Sequence, residues 1–148
     1  MQKLNYPSFT FKLKTNENKT LIFDIVRKKY VTLTPEEWVR QNSIHYLFKE
    51  KNYPISLMAV EKQLKIRTLR KRIDIVSYTN DGIPFLIVEC KAPSVQISQD
   101  TFDQIARYNL KLEAQILMVT NGISHYYCVM NHKKQAYEFL SELPDAQF

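Results

Sequence analysis

Arg72-Ile73-Asp74-Ile75-Val76-Ser77-Tyr78, then Thr79-Asn80-Asp81-Gly82, then Ile83-Pro84-Phe85-Leu86-Ile87-Val88-Glu89-Cys90-Lys91 form one continuous stretch, two apolar, β-branched-rich runs around an Asp-Gly turn. This is the strongest short-range pattern for a β-hairpin. With Asp81-Gly82 as a two-residue loop, Asn80 faces Ile83 and Asp74 falls opposite Glu89. Alternation then puts Asp74, Val76 and Tyr78 on one face with Phe85, Ile87, Glu89 and Lys91, and Ile73, Ile75, Leu86, Val88 and Cys90 on the other. Both faces are apolar near the turn, which predicts strands covered on both sides at the centre of an α/β sheet.

Two carboxylates in direct cross-strand register have Cβ atoms about 5 Å apart and destabilise a sheet unless positive charge lies between them. A divalent cation is one answer. The other is local: Arg72 lies opposite Lys91, so Arg72–Glu89 and Asp74–Lys91 diagonals form an alternating four-charge cluster. Register alone leaves both open, and either arrangement is expensive to desolvate without good geometry.

Outward from the hairpin, Thr34-Pro35-Glu36-Glu37 is a helix start, with Thr34 as N-cap, Pro35 in the first turn and Glu37 placed to close a capping box. Trp38, Ile44, Leu47 and Phe48 supply an apolar side, predicting a helix over 35–51. Before it, 9–14 alternate and 20–26 form a second run, so residues 1–33 read as an N-terminal β extension. Ile55 to Leu64 reads as a strand whose Glu61 is either a solvated charge or a third carboxylate. After Ala92-Pro93, Ser98 or Asp100 opens a helix to about Glu113, with Phe102, Ile105, Ala106 and Leu110 inward and Gln104 and Tyr108 neighbours at a four-residue spacing. Ala114 to Thr120 is a short buried run after a helix, a strand joining by crossover. Asn121-Gly122 turns it into Ser124 to Met130, and the tail 135–143 is apolar enough to pack.

The 148 residues make a single domain by length, and 21 Lys plus Arg against 15 Asp plus Glu favour a polyanionic partner. Lys62, Lys65, Arg67, Arg70, Lys71 and Arg72 lead directly into Asp74, so the basic density sits beside the acidic pair. Two cysteines make no disulfide framework; no leader or membrane-spanning run is visible, and the expected location is the cytoplasm. Two glycines exclude a P-loop and a dinucleotide fingerprint. His125, Cys128 and His132 do not form a zinc set, because 125 and 128 point to opposite faces of a strand and a fourth ligand is missing.

Asp74, fourteen intervening residues and Glu89-Cys90-Lys91 resemble the PD-(D/E)XK nuclease motif. More narrowly, Lys71-Arg72-Ile73-Asp74, then Leu86-Ile87-Val88-Glu89-Cys90-Lys91-Ala92-Pro93, and downstream Gln104-Ile105-Ala106-Arg107-Tyr108 as a Q-x-x-x-Y motif, resemble the N-terminal nuclease domain of type I restriction enzyme R subunits. The resemblance implies a restriction-endonuclease-like core, a central mixed β-sheet flanked by helices in the order αβββαβ. It implies metal-dependent hydrolysis of DNA phosphodiester bonds, with Mg²⁺ held by Asp74, Glu89 and the main-chain carbonyl of Cys90, and Mn²⁺ substituting. Lys91 would orient water or stabilise developing charge, Gln104 and Tyr108 would stand behind it, and Glu37 is the acidic residue such nucleases often add from the preceding helix. Arg70, Lys71 and Arg72 would grip the DNA backbone. With no motor in this sequence, the expectation is a stand-alone relative, or one served by a motor or specificity subunit on another chain; a homodimer would suit cutting both strands. The alternative is a non-catalytic module of the same fold that binds nucleic acid or protein, its charges forming a salt-bridge cluster.

Overall fold

The computed structural model describes residues 1–66 and 68–146, so Arg67 of the basic run lies outside the described residues. Its centre is the expected hairpin. Strands β1 (Leu13–Asn16), β2 (Lys19–Asp24) and β3 (Lys29–Thr32) come first, then helix α1 (Pro35–Glu50), β4 (Met58–Ile66), β5 (Leu69–Tyr78), β6 (Pro84–Cys90), α2 (Gln99–Leu110), β7 (Ile116–Thr120), β8 (His125–Asn131) and β9 (Ala136–Leu140). Strands β4 to β9 form one six-stranded sheet in sequence order. All its pairings are antiparallel except β6 with β7, the two strands that α2 connects. The run α1-β4-β5-β6-α2-β7 is the αβββαβ order, an α/β architecture with a mixed central sheet compatible with a restriction-endonuclease-like core.

Each face of the sheet carries one helix. Val39, Ile44 and Leu47 of α1 pack with Ile75, Leu86, Val88, Cys90 and Met118, while Phe102, Ile105, Ala106 and Leu110 of α2 pack with Val76, Ile87, Leu117 and Val119. Ile75, Val76, Leu86, Ile87 and Val88 have no exposed surface, as strands covered on both sides require.

The N-terminal extension is a three-stranded antiparallel sheet, β1-β2-β3, one strand more than the two runs read from the sequence. It and the segment before it contact α1 away from the main sheet: Phe11 meets Trp38 and His45, Tyr6 bonds Ser43, and Asp24 accepts from Gln41. The helix is thereby buried nearly all round. That is why Gln41, Asn42, Ser43 and His45 lie inside although a two-sided helix would show them to water.

Three boundaries differ from the sequence reading for local reasons. Ile55–Leu57 is a 3-10 turn before β4, closed by the Leu57 amide on the Pro54 carbonyl, 3.1 Å. Helix α2 stops at Leu110 because the Lys111 and Leu112 amides bond Tyr108 and Asn109, and Glu113, at φ +61°, turns the chain toward β7. The β5–β6 turn is not a two-residue loop. Ile75, Val76 and Ser77 pair with Val88, Ile87 and Leu86 as expected, but the register shifts and Tyr78 pairs with Pro84. Thr79 causes this: its hydroxyl accepts from the Asp81 and Ile83 amides, donors a tight turn would have committed elsewhere. Tyr78 and Phe85, expected on one face, consequently pack on opposite sides of the sheet.

Gly122, at φ +87°, closes the β7–β8 turn under the N-terminal segment. A Cβ there would lie 2.8 Å from Leu4 Cδ2 and 3.1 Å from Val39 Cγ2, whereas Gly82, at φ +79°, faces open space. Gly82→Ala is expected to cost about 1 kcal/mol, the backbone term alone, and Gly122→Ala about 3 kcal/mol, as overpacking adds to it. Urea unfolding of the two variants checks the difference; equal losses would mean that the Leu4 segment moves aside freely.

Candidate active site

Strand alternation also fails within β5, and the acidic residues gather there. Val60 pairs with Ile75 and Lys62 with Ile73, so Glu61 and Asp74 face one another between these pairs, with Glu61 in the left-handed region at φ +53°. Such backbone in a non-glycine costs on the order of 1–3 kcal/mol and gathers at functional sites. Across the break the faces exchange: Ile75 packs on the α1 side, but Ile73 packs on the α2 side with Val76, contrary to strict alternation.

Asp74 uses both carboxylate oxygens. Oδ2 accepts from the Cys90 amide at 2.8 Å, which ties β5 to the end of β6, and Oδ1 accepts from Arg40 Nη2 at 2.8 Å. Arg40, its side chain only 5% exposed, also meets Glu37 at 2.6 Å, Glu36 at 3.2 Å and Glu61 at 3.3 Å. Burial alone would lower the Arg40 pKa, but its hydrogen bond to Asp74 and the charges of Glu37 and Asp74 outweigh this and raise it. Glu37 is therefore one residue removed from Asp74, joined through Arg40. Its amide caps onto Thr34 Oγ1 at 3.0 Å, but the reciprocal half of the capping box is not made, because its carboxylate accepts from Arg27, Arg40 and Gln41 instead.

On β6, Glu89 is 6% exposed and its pKa is raised, first by burial and then by the charge of Asp74, with Lys71 and Lys91 opposing. Lys71 Nζ lies 3.1 Å from Glu89 Oε1, yet that buried oxygen has no aligned hydrogen-bond donor. The four-charge diagonals expected of Arg72–Glu89 and Asp74–Lys91 are thus replaced by Lys71–Glu89 and Arg40–Asp74. The exchange of faces at Asp74 is the reason: Arg72 is exposed and paired with Gln63 on β4. Lys91, just past β6, donates its amide to Thr120 at 2.8 Å. Its ammonium is close enough to Glu89 and Glu36 to favour their charged forms but makes no ion pair among the described residues.

From α2, the Tyr108 hydroxyl donates to the Arg70 carbonyl at 3.0 Å and its ring lies under Lys71 Nζ at 4.6 Å, so Tyr108 supports Lys71. Gln104 is exposed and makes no hydrogen bond among the described residues. Lys62, Lys65, Arg70 and Arg72 are exposed along the paired arm of β4 and β5. Cys90 is buried in the α1-side core, its thiol pushed up by burial and then by the charge of Asp74, while its amide bonds Asp74. His125 and His132 bond Thr120, Asn5, Leu110 and Ala114 while Cys128 is core. Among the described residues no three His, Cys, Asp or Glu side chains group to hold a metal. The strands bring Asp74 together with Glu61 on β4 and with Glu89 on β6, and Asp74 and Glu89 each retain lone pairs beyond those engaged.

Sequence reasoning missed Arg40. Its spacing from Glu36 and Glu37 suggests an ordinary surface pair. The signal was its place on the stripe Glu37, Arg40, Ile44, Leu47, which puts the guanidinium amid a core-facing series.

A mixed six-stranded sheet with one helix on each face is compatible with a restriction-endonuclease-like core. The family model of the type I restriction enzyme R protein N terminus matches residues 35–144, and the chain belongs to that family. None of the curated proteins matches it.

Removing the cation that four carboxylates share leaves buried charge uncompensated. Arg40→Met is expected to destabilise the fold by about 3–5 kcal/mol in urea unfolding; a loss under about 1 kcal/mol would mean that water compensates the cluster. Glu89 behaves oppositely. A carboxyl whose folded pKa lies above its unfolded value opposes folding while ionised, and the opposition fades as pH falls through the raised folded value. Glu89→Gln is expected to raise Tm at neutral pH, with the gap to wild type closing as pH falls toward the ordinary value of 4.5; a gap constant with pH would assign the gain to packing.

Proposed function

We propose that this chain is a metal-dependent endonuclease that hydrolyses DNA phosphodiester bonds. One observation carries the reading: Glu89 is held buried beside Asp74 with Lys71 3.1 Å from one of its oxygens, and Lys91 next to it makes no ion pair among the described residues. A stable fold gains nothing from this arrangement, whereas a cation and a phosphate would satisfy it. Membership of a restriction-enzyme family supports the same chemistry.

The residues fit Mg²⁺, which takes one or two carboxylates and keeps waters and substrate oxygens for the rest of its shell. Asp74 and Glu89, with the Cys90 carbonyl, would hold it, and Mn²⁺ would serve in its place. When bound, the ion shields the phosphate and lowers the pKa of a coordinated water. Arg40 holds Asp74 in place, and Lys91 orients the attacking water or stabilises charge developing on the phosphate. Tyr108 keeps Lys71 on Glu89. The exposed Arg70, Arg72, Lys62 and Lys65 follow the DNA backbone without reading sequence. In this family a partner subunit would present the DNA.

A second reading, a non-catalytic binding module, draws on Arg40–Asp74 and Lys71–Glu89 already neutralising the acidic pair. Cleavage of labelled DNA in Mg²⁺ and in Mn²⁺ separates the two. Wild type is expected to cut, and Lys91→Ala, at equal folded concentration, to lose on the order of 100-fold or more. No cutting by either protein, with no metal-induced rise in Tm, would establish the binding module instead.

A further inference from the structure

Lys71 meets Glu89 only because the faces of β5 exchange. It pairs with Leu64, and Leu64 and Ile73 pack on the α2 side of the sheet, the side that Glu89 shares with Ile87. Had β5 continued from Ile75 in strict alternation, Ile73 and Lys71 would lie on the α1 side, with the sheet between the ammonium and Glu89. The break marked by the left-handed Glu61 therefore delivers a cation to the buried carboxylate.

The ammonium is held there by two groups. Lys71 Nζ lies 3.1 Å from Glu89 Oε1 and 4.6 Å from the centroid of the Tyr108 ring. The Tyr108 hydroxyl donates to the Arg70 carbonyl at 3.0 Å, which fixes the ring to the backbone next to the residue it faces. The side chains of Lys71 and Glu89 are 23% and 8% exposed, so solvent ions screen this pair less than a surface pair. Arg70 and Arg72, on either side, are exposed and make no ion pair among the described residues. Of these three cations only Lys71 is engaged at the site, and it is the one suited to exchange. A lysine is a compact point charge on a flexible stem, without the fork that fixes an arginine on a carboxylate.

A divalent ion shared by Asp74 and Glu89 would stand next to an ammonium on Glu89 Oε1, and like charges in adjacent positions repel. We propose that Lys71, held by Tyr108, is the resident counter-cation of Glu89 and competes with a divalent cation for that carboxylate, so that its ammonium sets the metal affinity of the site. The inference rests on Asp74 and Glu89 being the metal-holding pair. Lys71 is then a positioning residue that keeps Glu89 compensated in the metal-free protein, and Tyr108 acts through it.

Titration calorimetry of the full chain with Mn²⁺ alone, without DNA, tests this. Wild type is expected to bind, and Lys71→Met, which keeps most of the apolar stem and removes the charge, to bind at least about tenfold more tightly. A lysine that only buttressed the fold would have the opposite effect, since its loss would loosen the site and weaken binding. Tyr108→Leu leaves every charge in place and is expected to tighten binding about threefold, and to change nothing when added to Lys71→Met. It carries the test alone if Lys71→Met does not fold. Glu89→Gln in the Lys71→Met background is expected to remove the gain. Unchanged or weaker binding by Lys71→Met, or by Tyr108→Leu where that variant stands alone, overturns the role of Lys71 and leaves metal binding intact. A gain that survives Glu89→Gln overturns it as well, because the ion then sits elsewhere. No binding by wild type or by any variant overturns it together with the metal-dependent reading.

Discussion

Four carboxylates, those of Glu36, Glu37, Glu61 and Asp74, converge on the guanidinium of Arg40, and the geometry around them follows from that convergence. Apolar packing between α1 and the sheet is non-directional and tolerates a helix shifted along its axis. Charge-assisted hydrogen bonds of 2.6 and 2.8 Å do not. The helix is fixed against β5 by Asp74 and against the kink in β4 by Glu61. Asp74 in turn holds the end of β6 through the Cys90 amide, so one cation sets the positions of three elements that meet at the site.

The opposite end of the acidic pair is less fully compensated. Glu89 has Lys71 of β5 beside it, which Tyr108 supports from α2, whereas the counter-charge of Asp74 comes from Arg40 of α1. Its raised pKa records that this compensation is incomplete. A fold selected for stability alone would place a neutral residue there, since replacing poorly compensated buried charge is often stabilising. Strain at Glu61 and incomplete neutralisation at Glu89 occur within one region, beside a Lys91 ammonium that makes no ion pair among the described residues; under the proposed function, stability is traded there for reactivity.

Much of this was legible in the residues because alternation and turn chemistry are local. The hairpin, its core register, the start of α1 at Thr34 and the crossover through α2 follow from periods of 2 and 3.6 and from caps, and the resemblance implied the order αβββαβ. What was not legible depended on contacts distant in sequence or on one unusual dihedral. A positive φ at Glu61 leaves no trace in an apolar pattern, so Ile73 was assigned to the wrong face and the wrong cations to Asp74 and Glu89. Thr79 reorganised the turn by a side-chain bond that the Asp-Gly signal outweighs on paper. Glu37 had a sufficient local explanation in the capping box, and a tertiary cation displaced half of it.

The match to the family begins at residue 35, but the electrostatics of the site do not. Arg27, in the turn after β2, bonds Asp24 at 2.6 Å and Glu37 at 3.0 Å and approaches Glu61 at 3.6 Å. Asp24 is itself fully buried; burial opposes its charge, but the Arg27 amide and side chain and Gln41 lower its pKa overall. Glu37 and Glu61 are therefore each shared between Arg40 and Arg27, and the second cation comes from the N-terminal sheet. Without it, Arg40 alone would face Glu36, Glu37, Glu61 and Asp74, and its share of attraction for Asp74 would fall as the other three drew on it. The β1–β3 sheet is on this account part of the site's support, because the strength with which α1 holds Asp74 depends on how much of the acidic charge Arg27 removes first.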